Sequence, residues 1–330
     1  MIISKTPLRI SFAGGGTDLR SYYKYNKFGA VLSTSIDKYL YVVIKRQNEL
    51  FKEKFRLNYS ETEITNNVNK IKNPIIREVL KFLNIDDQLY ISTISDIPAS
   101  TGLGSSSTFC VGLLNALYKF KGETISVGRL AEEAAHIECD ILKRPMGKQD
   151  HYAAAYGGLN YIRFYDDESV TIRPINLSKK NMENFLSSIL IFWTNITRPS
   201  ESILKEQNQK NKNNFYILEL MKNQALELAE KLISSKLSTK ETGELLNQGW
   251  ELKKRLASNI SNAEINNWYK TAIDNGAYGG KISGAGGGGF FTFIAEPLNH
   301  DIISKKLSSL GIKRYICGFD SNGTTVTEIR

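Results

Sequence analysis

A glycine-rich segment that leads into a run of hydroxyl side chains is the strongest candidate for chemistry in this sequence. Gly102 and Gly104 stand on either side of one leucine, and Ser105–Thr108 follow where a helix is predicted to begin. Backbone N–H groups and the positive end of a helix dipole favour an anion, so the pattern predicts a nucleotide phosphate at this loop. The serine hydroxyls could add donors or bind a divalent ion; the plainer alternative is that they only cap the helix.

Two further glycine clusters, Thr6–Asp18 and Lys281–Phe290, lie near the two ends of the chain. The second of these holds five glycines within six residues, which predicts backbone packed closely against another loop or a ligand. It fits the pattern GxGxxG, but a strand-like segment rather than a helix follows, so a dehydrogenase is not predicted. The GxxxxGK[ST] phosphate loop does not occur in the sequence.

Two carboxylates, Glu138 and Asp150, flank a segment that must turn because it contains Pro145 and Gly147. Glu138 is predicted late in one helix and Asp150 at the start of the next. The turn can therefore bring both to one place, where a carboxylate could accept a hydroxyl proton or balance a cation. Taken singly, Glu138 also fits a solvated surface group and Asp150 a helix cap.

Composition predicts a globular protein with a small anionic ligand. The chain has 330 residues, of which 41% are hydrophobic, and a formal net charge of +9. Its longest apolar runs, Ile189–Trp193 and Phe290–Ala295, are too short for a membrane helix. The lysines are scattered, which argues against nucleic acid and fits a phosphorylated small substrate. Lys5 and Arg9 interrupt the apolar N-terminus, which disfavours a signal peptide, so we expect a cytoplasmic protein.

The three cysteines and three histidines form no CxxC or HxxxH pair, so neither disulfides nor a zinc site is predicted. The sequence does not exclude a site for a hard cation with oxygen ligands.

Strands and helices are mixed without a regular alternation, which predicts an α+β fold. The predicted strands are Ile2–Ser11, Val31–Ile44, Leu89–Ser95, Leu159–Phe164, Val170–Ile175, Leu186–Trp193, Phe290–Ala295 and Arg314–Phe319. The predicted helices are Ser105–Phe120, Ser126–Leu142, Gln149–Tyr156 and Asp301–Leu310, with a helical region from about Ser200 to Asn275.

Together the three glycine clusters resemble the motifs of the GHMP kinase family, in the family's order. Residues 98–106 fit its Pro-x-x-x-Gly-Leu-Gly-Ser-Ser pattern, and residues 284–289 fit its Gly-Ala-Gly-Gly-Gly-Gly. The resemblance implies two domains: residues 1–180, like ribosomal protein S5 domain 2, and residues 181–330, a ferredoxin-like α/β plait. It also implies phosphorylation of a small-molecule hydroxyl or phosphate, with ATP and Mg²⁺ as cofactors.

The resemblance also implies roles for single residues. Asp150 resembles the catalytic aspartate of the family, and Arg9 stands where galactokinases have a basic residue that pairs with this aspartate. Glu138, with Asp140 as a rival, resembles a Mg²⁺ ligand. The loop that would hold the ATP phosphates consists of Ser100, Thr101, Gly102, Leu103, Gly104, Ser105, Ser106 and Ser107, of which Ser106, or failing it Ser105, would be the other Mg²⁺ ligand.

Substrate-binding positions follow from the same resemblance. Asp18 matches an aspartate that binds sugar hydroxyls in galactokinases. Gly15 and Gly16 replace the Glu-His pair of those enzymes, so galactose is not the expected substrate. Gly286 and Gly287 are further candidates for substrate binding.

Within the family, several segments look like the D-glycero-D-manno-heptose 7-phosphate kinases: Gly14–Asp18, Gly147–Asp150, Tyr156–Asn160, Arg198 and Ser202–Gln207. Those kinases phosphorylate the anomeric hydroxyl to give the 1,7-bisphosphate, used for nucleotide-activated heptose in capsule or lipopolysaccharide synthesis. Arg20, Lys148 and Arg198 are the candidates for holding the 7-phosphate. The alternatives are a kinase for unphosphorylated fucose or a uronic acid, a non-catalytic sugar sensor and a nucleic-acid-binding protein. A homodimer also stays open.

Overall fold

A computed structural model of the protein describes residues 1–197, 201–211, 213–234 and 237–329. Its strands are β1 Ile2–Ala13, β2 Phe28–Arg46, β3 Phe55–Asn58, β4 Thr62–Thr65, β5 Leu89–Ser95, β6 Leu159–Tyr165, β7 Val170–Pro174, β8 Ile189–Trp193, β9 Ala277–Ile282, β10 Phe290–Ala295, β11 Lys313–Tyr315 and β12 Thr325–Glu328. Its α-helices are α1 Arg20–Tyr23, α2 Pro74–Phe82, α3 Ser105–Phe120, α4 Val127–His136, α5 Gln149–Tyr156, α6 Lys179–Ser187, α7 Glu201–Lys210, α8 Phe215–Ile233, α9 Thr239–Lys254, α10 Ala263–Asp274 and α11 His300–Ser309.

The first sheet is organised around β2, whose 19 residues are long enough to serve three neighbouring strands. β2 pairs antiparallel with β1 along most of its length, with β6 through residues 28–34 and with β5 through residues 40–46. The helix α3 packs across β1 and β2. A Cβ at Gly112 of α3 would lie 2.8 Å from Thr6 Oγ1, and one at Gly104 would lie 3.4 Å from Arg9 Cγ. The helix therefore begins beside Arg9.

The second sheet has the order β11-β8-β10-β9 and is antiparallel throughout. Every residue of β10 is buried, so this strand is apolar almost continuously instead of alternating. Helices α9, α10 and α11 pack around the sheet. Trp250 of α9 and Tyr269 of α10 meet the rings of Phe291 and Phe293, which stack 4.9 Å apart. This aromatic cluster packs α9 and α10 against β10, and the glycine-rich loop between β9 and β10 lies against residues 101 and 102.

The two sheets are tied together by the end of the chain and by α8. β12 pairs with residues 2–5 of β1, and Phe319 forms a bridge to Ile36 of β2. Helix α8 contacts β1 and β2 on one side and α9 on the other. The predicted division at residues 180 and 181 stays a prediction, with one correction: residues 325–328 lie in the first sheet.

The α+β class is confirmed, and two predicted strands need correction. The strand predicted at Leu186–Trp193 begins only at Ile189, because α6 continues to Ser187 after its N-cap at Ser178. The strand predicted at Arg314–Phe319 is shorter and runs over Lys313–Tyr315. None of the helices within the described ranges combines the length and the apolar character that crossing a bilayer requires.

Candidate active site

A cavity of about 800 Å³ lies where the end of β1, the start of α3 and the loop between β9 and β10 meet. All three glycine clusters of the sequence contribute to its wall. The predicted site residues that line it are Arg9, Gly15, Gly16, Asp18, Ser100, Gly102, Gly104, Ser105, Ser106, Ser107, Asp150 and Gly286. One cavity thus joins groups that lie up to 277 positions apart in the sequence.

The segment Ser100–Ser107 forms one wall of the cavity and opens α3 as predicted. Gly104 is the N-cap residue of α3 and has a φ of 82°, a left-handed conformation that disfavours any side chain. A Cβ there would also lie 3.2 Å from an oxygen of Asp150. Thr101 and Leu103 belong to the predicted set but are buried and do not line the cavity. The first N–H groups of a 16-residue helix therefore lie at the cavity, which suits a phosphate.

The second glycine loop, residues 284–289, packs directly on the first, as its composition predicted. A Cβ on Gly284 would lie 2.6 Å from the Cα of Gly102, and one on Gly289 would lie 2.2 Å from the carbonyl oxygen of Thr101. Gly286 lines the cavity, whereas Gly287 donates its N–H to the carbonyl of Ile260 at 2.8 Å. The glycines are needed because two backbones touch here.

Arg9 and Asp150 form a buried ion pair at the centre of the cavity wall. Arg9 Nε and Nη2 donate to the two carboxylate oxygens of Asp150, each at 2.7 Å, and Arg9 Nη1 donates to the Gly102 carbonyl at 2.7 Å. Such a bidentate pair fixes the carboxylate plane as well as its charge. The pair that the resemblance implied is therefore present, and it is anchored to the phosphate-facing loop.

Glu138 is the most enclosed carboxylate of the site, and a π-helical turn at Ile137–Ile141 places it there. Its Oε1 accepts from Ser106 Oγ and from Arg144 Nη1, both at 2.5 Å, and its Oε2 faces His151 Nε2 at 2.8 Å. Burial acts to raise the pKa of Glu138, but His151, Arg144 and Ser106 outweigh it and lower the pKa to about 2.

Asp140, the rival to Glu138, points away from the cavity. It pairs with Arg20 at 2.6 Å and with His136 at 2.9 Å, on a partly exposed surface. The π-helical turn separates the two carboxylates, which stand only two positions apart in the sequence. The structure therefore favours Glu138 over Asp140 as the residue that acts with Ser106.

The donor set at Ser106 and Glu138 fits a divalent cation such as Mg²⁺. A hydroxyl and a carboxylate are hard oxygen ligands, and Mg²⁺ commonly takes one or two protein oxygens and completes its shell with phosphates and water. No group of three or more His, Cys, Asp or Glu suited to a metal occurs in the described part of the chain. Arg144 Nη1 lies 2.5 Å from both oxygens and would compete with a cation for them.

Asp18 lines the same cavity and lies close enough to Asp150 for the two charges to interact. Its carboxylate accepts from the N–H of Gly16 at 3.0 Å and from the backbone and side-chain nitrogens of Gln149 at 3.2 and 3.1 Å. Burial and the charge of Asp150 raise the pKa of Asp18. A Cβ on Gly147 would lie 2.0 Å from Asp18, so this glycine lets the turn approach.

Polar groups without a partner surround Asp18. Among the described residues, Ser11 Oγ, Gln149 Oε1 and Gln207 Nε2 are buried, have no hydrogen-bond partner and belong to side chains that line the cavity. Buried polar atoms are costly when unpaired, so their presence in a cavity wall indicates a polar ligand. A hydroxyl, an acceptor oxygen and a donor nitrogen of this kind suit the hydroxyls of a sugar.

Arg20 and Lys148 lie in a second cavity of about 680 Å³ that shares Asp18, Arg144 and Met146 with the first. Both cations are already paired with Glu168, and Arg20 also pairs with Asp140. To hold a substrate phosphate, Arg20 and Lys148 would have to release these carboxylates and bind the phosphate in their place. Arg198, the third candidate, lies outside the described residues.

Several functional side chains were not predicted from the sequence. Arg144 and His151 complete the Glu138 cluster, Gln149 holds Asp18, and Lys253 and Lys281 line the cavity. The only sequence signal for the first three was their position in or directly after the segment between Glu138 and Asp150. The sequence did not mark Lys253 of α9 and Lys281 of β9 as buried, because most lysines in proteins are exposed.

Comparison with known proteins agrees with this geometry. Models of the GHMP kinase N-terminal and C-terminal domains match residues 66–158 and 223–313. The D-glycero-alpha-D-manno-heptose 7-phosphate kinase of Campylobacter jejuni is 34% identical over 310 residues, which is 90% of each chain. A galactokinase of Pyrococcus furiosus is 26% identical over 87% of each chain.

Solved structures show the same fold. A D-glycero-D-manno-heptose 1-phosphate kinase from Bacteroides thetaiotaomicron superposes over the whole of both chains with a TM-score of 0.81 and 25% identity. A galactokinase from Lactococcus lactis, solved with galactose, gives a TM-score of 0.75 over 98% of this chain and 95% of its own. With its motifs gathered in one cavity and its two domain models matched, the chain belongs to the GHMP kinase family and is a phosphotransferase with an alcohol group as acceptor.

Proposed function

We propose that the protein is an ATP-dependent sugar kinase that phosphorylates O1, the anomeric hydroxyl, of D-glycero-D-manno-heptose 7-phosphate. The observation that carries the proposal is the position of Asp150, which Arg9 holds beside the start of α3 in the shared cavity. The similarity to the heptose 7-phosphate kinase of Campylobacter jejuni supports this choice of acceptor.

Asp150 is well placed to receive the proton of the attacking hydroxyl. In the proposed step the sugar O1–H proton passes to a carboxylate oxygen of Asp150, and O1 forms a bond to the γ-phosphorus. The bond between that phosphorus and the β–γ bridging oxygen breaks, and ADP leaves with its electron pair. Because phosphoryl transfer has a loose transition state, the main task of Arg9 and Asp150 is to position the acceptor.

The phosphates of ATP would lie along the loop Ser100–Ser107, where backbone N–H groups and the α3 dipole favour negative charge. Ser106 and Glu138 would hold Mg²⁺, which supplies charge neutralisation for the phosphates when it is bound. The low pKa of Glu138 keeps its carboxylate ionised for this task at neutral pH. In this arrangement the nucleotide and the acceptor would meet at Asp150.

The acceptor side would be built by Asp18 and the unpaired polar groups around it. Ser11, Gln149 and Gln207 offer hydrogen-bond partners for several sugar hydroxyls. A Cβ on Gly15 would meet no atom closer than 3.8 Å, so the missing side chain leaves room that a larger sugar can use.

Two other acceptors need to be separated from heptose 7-phosphate. One is heptose 1-phosphate, because the similar Bacteroides structure is described as a heptose 1-phosphate kinase. The other is an unphosphorylated sugar such as fucose or a uronic acid. We expect a cytoplasmic enzyme whose product feeds the synthesis of nucleotide-activated heptose for a surface polysaccharide.

The test is a comparison of kcat/KM, with ADP release as the readout, for heptose 7-phosphate, heptose 1-phosphate, free heptose, fucose and galactose. We expect heptose 7-phosphate to be preferred over free heptose by at least ~10-fold, because a charged hydrogen bond contributes about 1.5–3 kcal/mol. Equal or better turnover of free heptose or fucose would reject the proposed acceptor. The Asp150→Asn variant is the matched control, since it keeps the shape of the side chain and removes the base.

A further inference from the structure

The cavity wall carries a buried lysine that the proposed chemistry has not used. Lys281 stands in β9 with only 5% of its surface exposed, and it lines the cavity. Its Nζ donates to one acceptor, the carbonyl of Phe12, at the long distance of 3.3 Å. A lysine ammonium has three donors, so two remain without a protein partner in the described part of the chain.

The charge of Lys281 is not balanced by a carboxylate. Within the described ranges Lys281 forms no salt bridge. Its charged neighbours there are Arg9, which is paired with Asp150, and Lys253, and both are themselves positive. Burial first, and then Arg9, lower the pKa of Lys281 to about 7. Burial, Lys281 and Arg9 also lower the pKa of Lys253 well below its usual value. An unpaired buried cation is costly and is normally found where an anion arrives.

Lys253 has a different task, because two of its three donors are already used. Its Nζ donates to the carbonyls of Ile282 at 3.0 Å and Gly284 at 2.5 Å. It therefore fixes the backbone on both sides of Ser283, at the start of the glycine loop. Lys253 positions the loop, whereas Lys281 keeps donors free for a ligand.

A second, independent sign of a ligand lies two residues beyond Lys281. The Oγ of Ser283 is buried, has no hydrogen-bond partner, and belongs to a residue that lines the same cavity. The backbone oxygen of Ser283 would lie 2.6 Å from a Cβ on Gly102, so this residue touches the loop that faces the ATP phosphates. An ammonium and a hydroxyl with free donors form a suitable pair for phosphate oxygens.

We propose that Lys281 and Ser283 bind a phosphate group inside the cavity and that Lys281 is a further catalytic residue of the transfer. This inference rests on the proposed kinase function. The phosphate has two sources in that reaction: the terminal group of ATP, which the contact of Ser283 with Gly102 favours, and the phosphate carried by the sugar. A phosphate of either source would keep Lys281 protonated, and Lys281 would stabilise the negative oxygens during transfer if it binds the terminal group of ATP.

The experiment measures affinity by calorimetry for four probes: ADP, the non-hydrolysable β,γ-imido analogue of ATP, heptose 7-phosphate and free heptose. We expect Lys281→Met to weaken binding of the phosphate concerned by at least ~10-fold, and Lys281→Arg to recover most of that loss. A loss for the ATP analogue but not for ADP identifies the terminal phosphate. A loss for heptose 7-phosphate but not for free heptose identifies the sugar phosphate.

Lys254→Met is the control, because Lys254 follows Lys253 in α9, pairs with Glu251 and does not line the cavity. Ser283→Ala is the second variant, needed if Lys281→Met does not fold, and it should lose about 3- to 10-fold for the same probe. Unchanged affinity for all four probes in the folded Lys281→Met or Ser283→Ala variant overturns the proposal. The nucleotide probes require no turnover, so they remain decisive even if the wild type fails to phosphorylate heptose 7-phosphate.

Discussion

Replacing Glu138 by glutamine should destabilise the protein by an amount that follows from its environment. The wild-type carboxylate is fully buried and receives three hydrogen bonds, from Ser106, Arg144 and His151. Burial opposes ionisation, but these partners lower the pKa from 4.5 to about 2. At 1.36 kcal/mol per pKa unit, that shift corresponds to about 3 kcal/mol of stability at neutral pH. Breaking a buried ion pair costs a similar amount, about 3–5 kcal/mol.

The sign of the pH dependence follows from the lowered pKa. The stabilisation is fully present above about pH 4.5, where an unfolded glutamate is also ionised, and it is lost as the pH falls through about 2. The free energy of unfolding of the Glu138→Gln variant should therefore be about 3 kcal/mol lower than that of the wild type at pH 7. It should also lack the part of the acid destabilisation that the wild type shows between pH 4.5 and 2.

The assay is urea unfolding followed by tryptophan fluorescence, at pH 7 and at steps down to pH 3. Glu168→Gln is the matched control: its pKa is also lowered to about 2 despite burial, through Lys148, Tyr23 and Arg20, but 30% of its side chain is exposed. Solvent screening should limit that loss to about 1 kcal/mol. If Glu138→Gln were as stable as the wild type at pH 7 within about 0.5 kcal/mol, the reasoning on the buried cluster would be refuted.

Three further substitutions test separate parts of the site. Gly104→Ala should lower the free energy of unfolding by about 1–2 kcal/mol and also reduce kcat, because a side chain strains the left-handed backbone and crowds Asp150. An unchanged melting temperature and unchanged turnover would contradict this. Arg144→Met should strengthen binding of Mn²⁺ without nucleotide, seen by electron paramagnetic resonance, because it removes the cation that competes at Glu138; weaker binding would speak against a metal role for that carboxylate. Asp18→Asn should raise KM for the sugar while KM for ATP stays within about twofold, and the reverse pattern would place Asp18 on the nucleotide side.

The parts of the site that depend on local backbone could be predicted from the sequence. The phosphate-facing loop and the start of α3 follow from glycines and serines within eight positions, which set both the conformation and the dipole. The close packing of the glycine loop on its neighbour followed from five glycines in six residues, since nothing larger fits between two backbones. The pairing of Arg9 with Asp150 came only through the family resemblance, because 141 residues separate them.

The parts that depend on long-range packing could not be predicted. The sequence left Asp140 as a rival to Glu138, and the structure places Glu138 against Ser106 and Asp140 against Arg20. Arg20 and Lys148 were chosen for their charge, but Glu168, which neutralises both, is remote from Arg20 and was not part of any motif. Burial of Lys281 was likewise invisible, because it arises where two sheets meet rather than from its own strand.

The most direct test of the account is a ³¹P NMR spectrum of the wild-type protein incubated with ATP, Mg²⁺ and D-glycero-D-manno-heptose 7-phosphate. We predict that the γ-phosphate signal of ATP disappears and that ADP forms together with a second sugar phosphate resonance coupled to the anomeric proton. The Asp150→Asn variant should produce that resonance at least ~100-fold more slowly. ADP formation without a new sugar phosphate, a new phosphate on any oxygen other than O1, or unchanged turnover in Asp150→Asn would contradict the account.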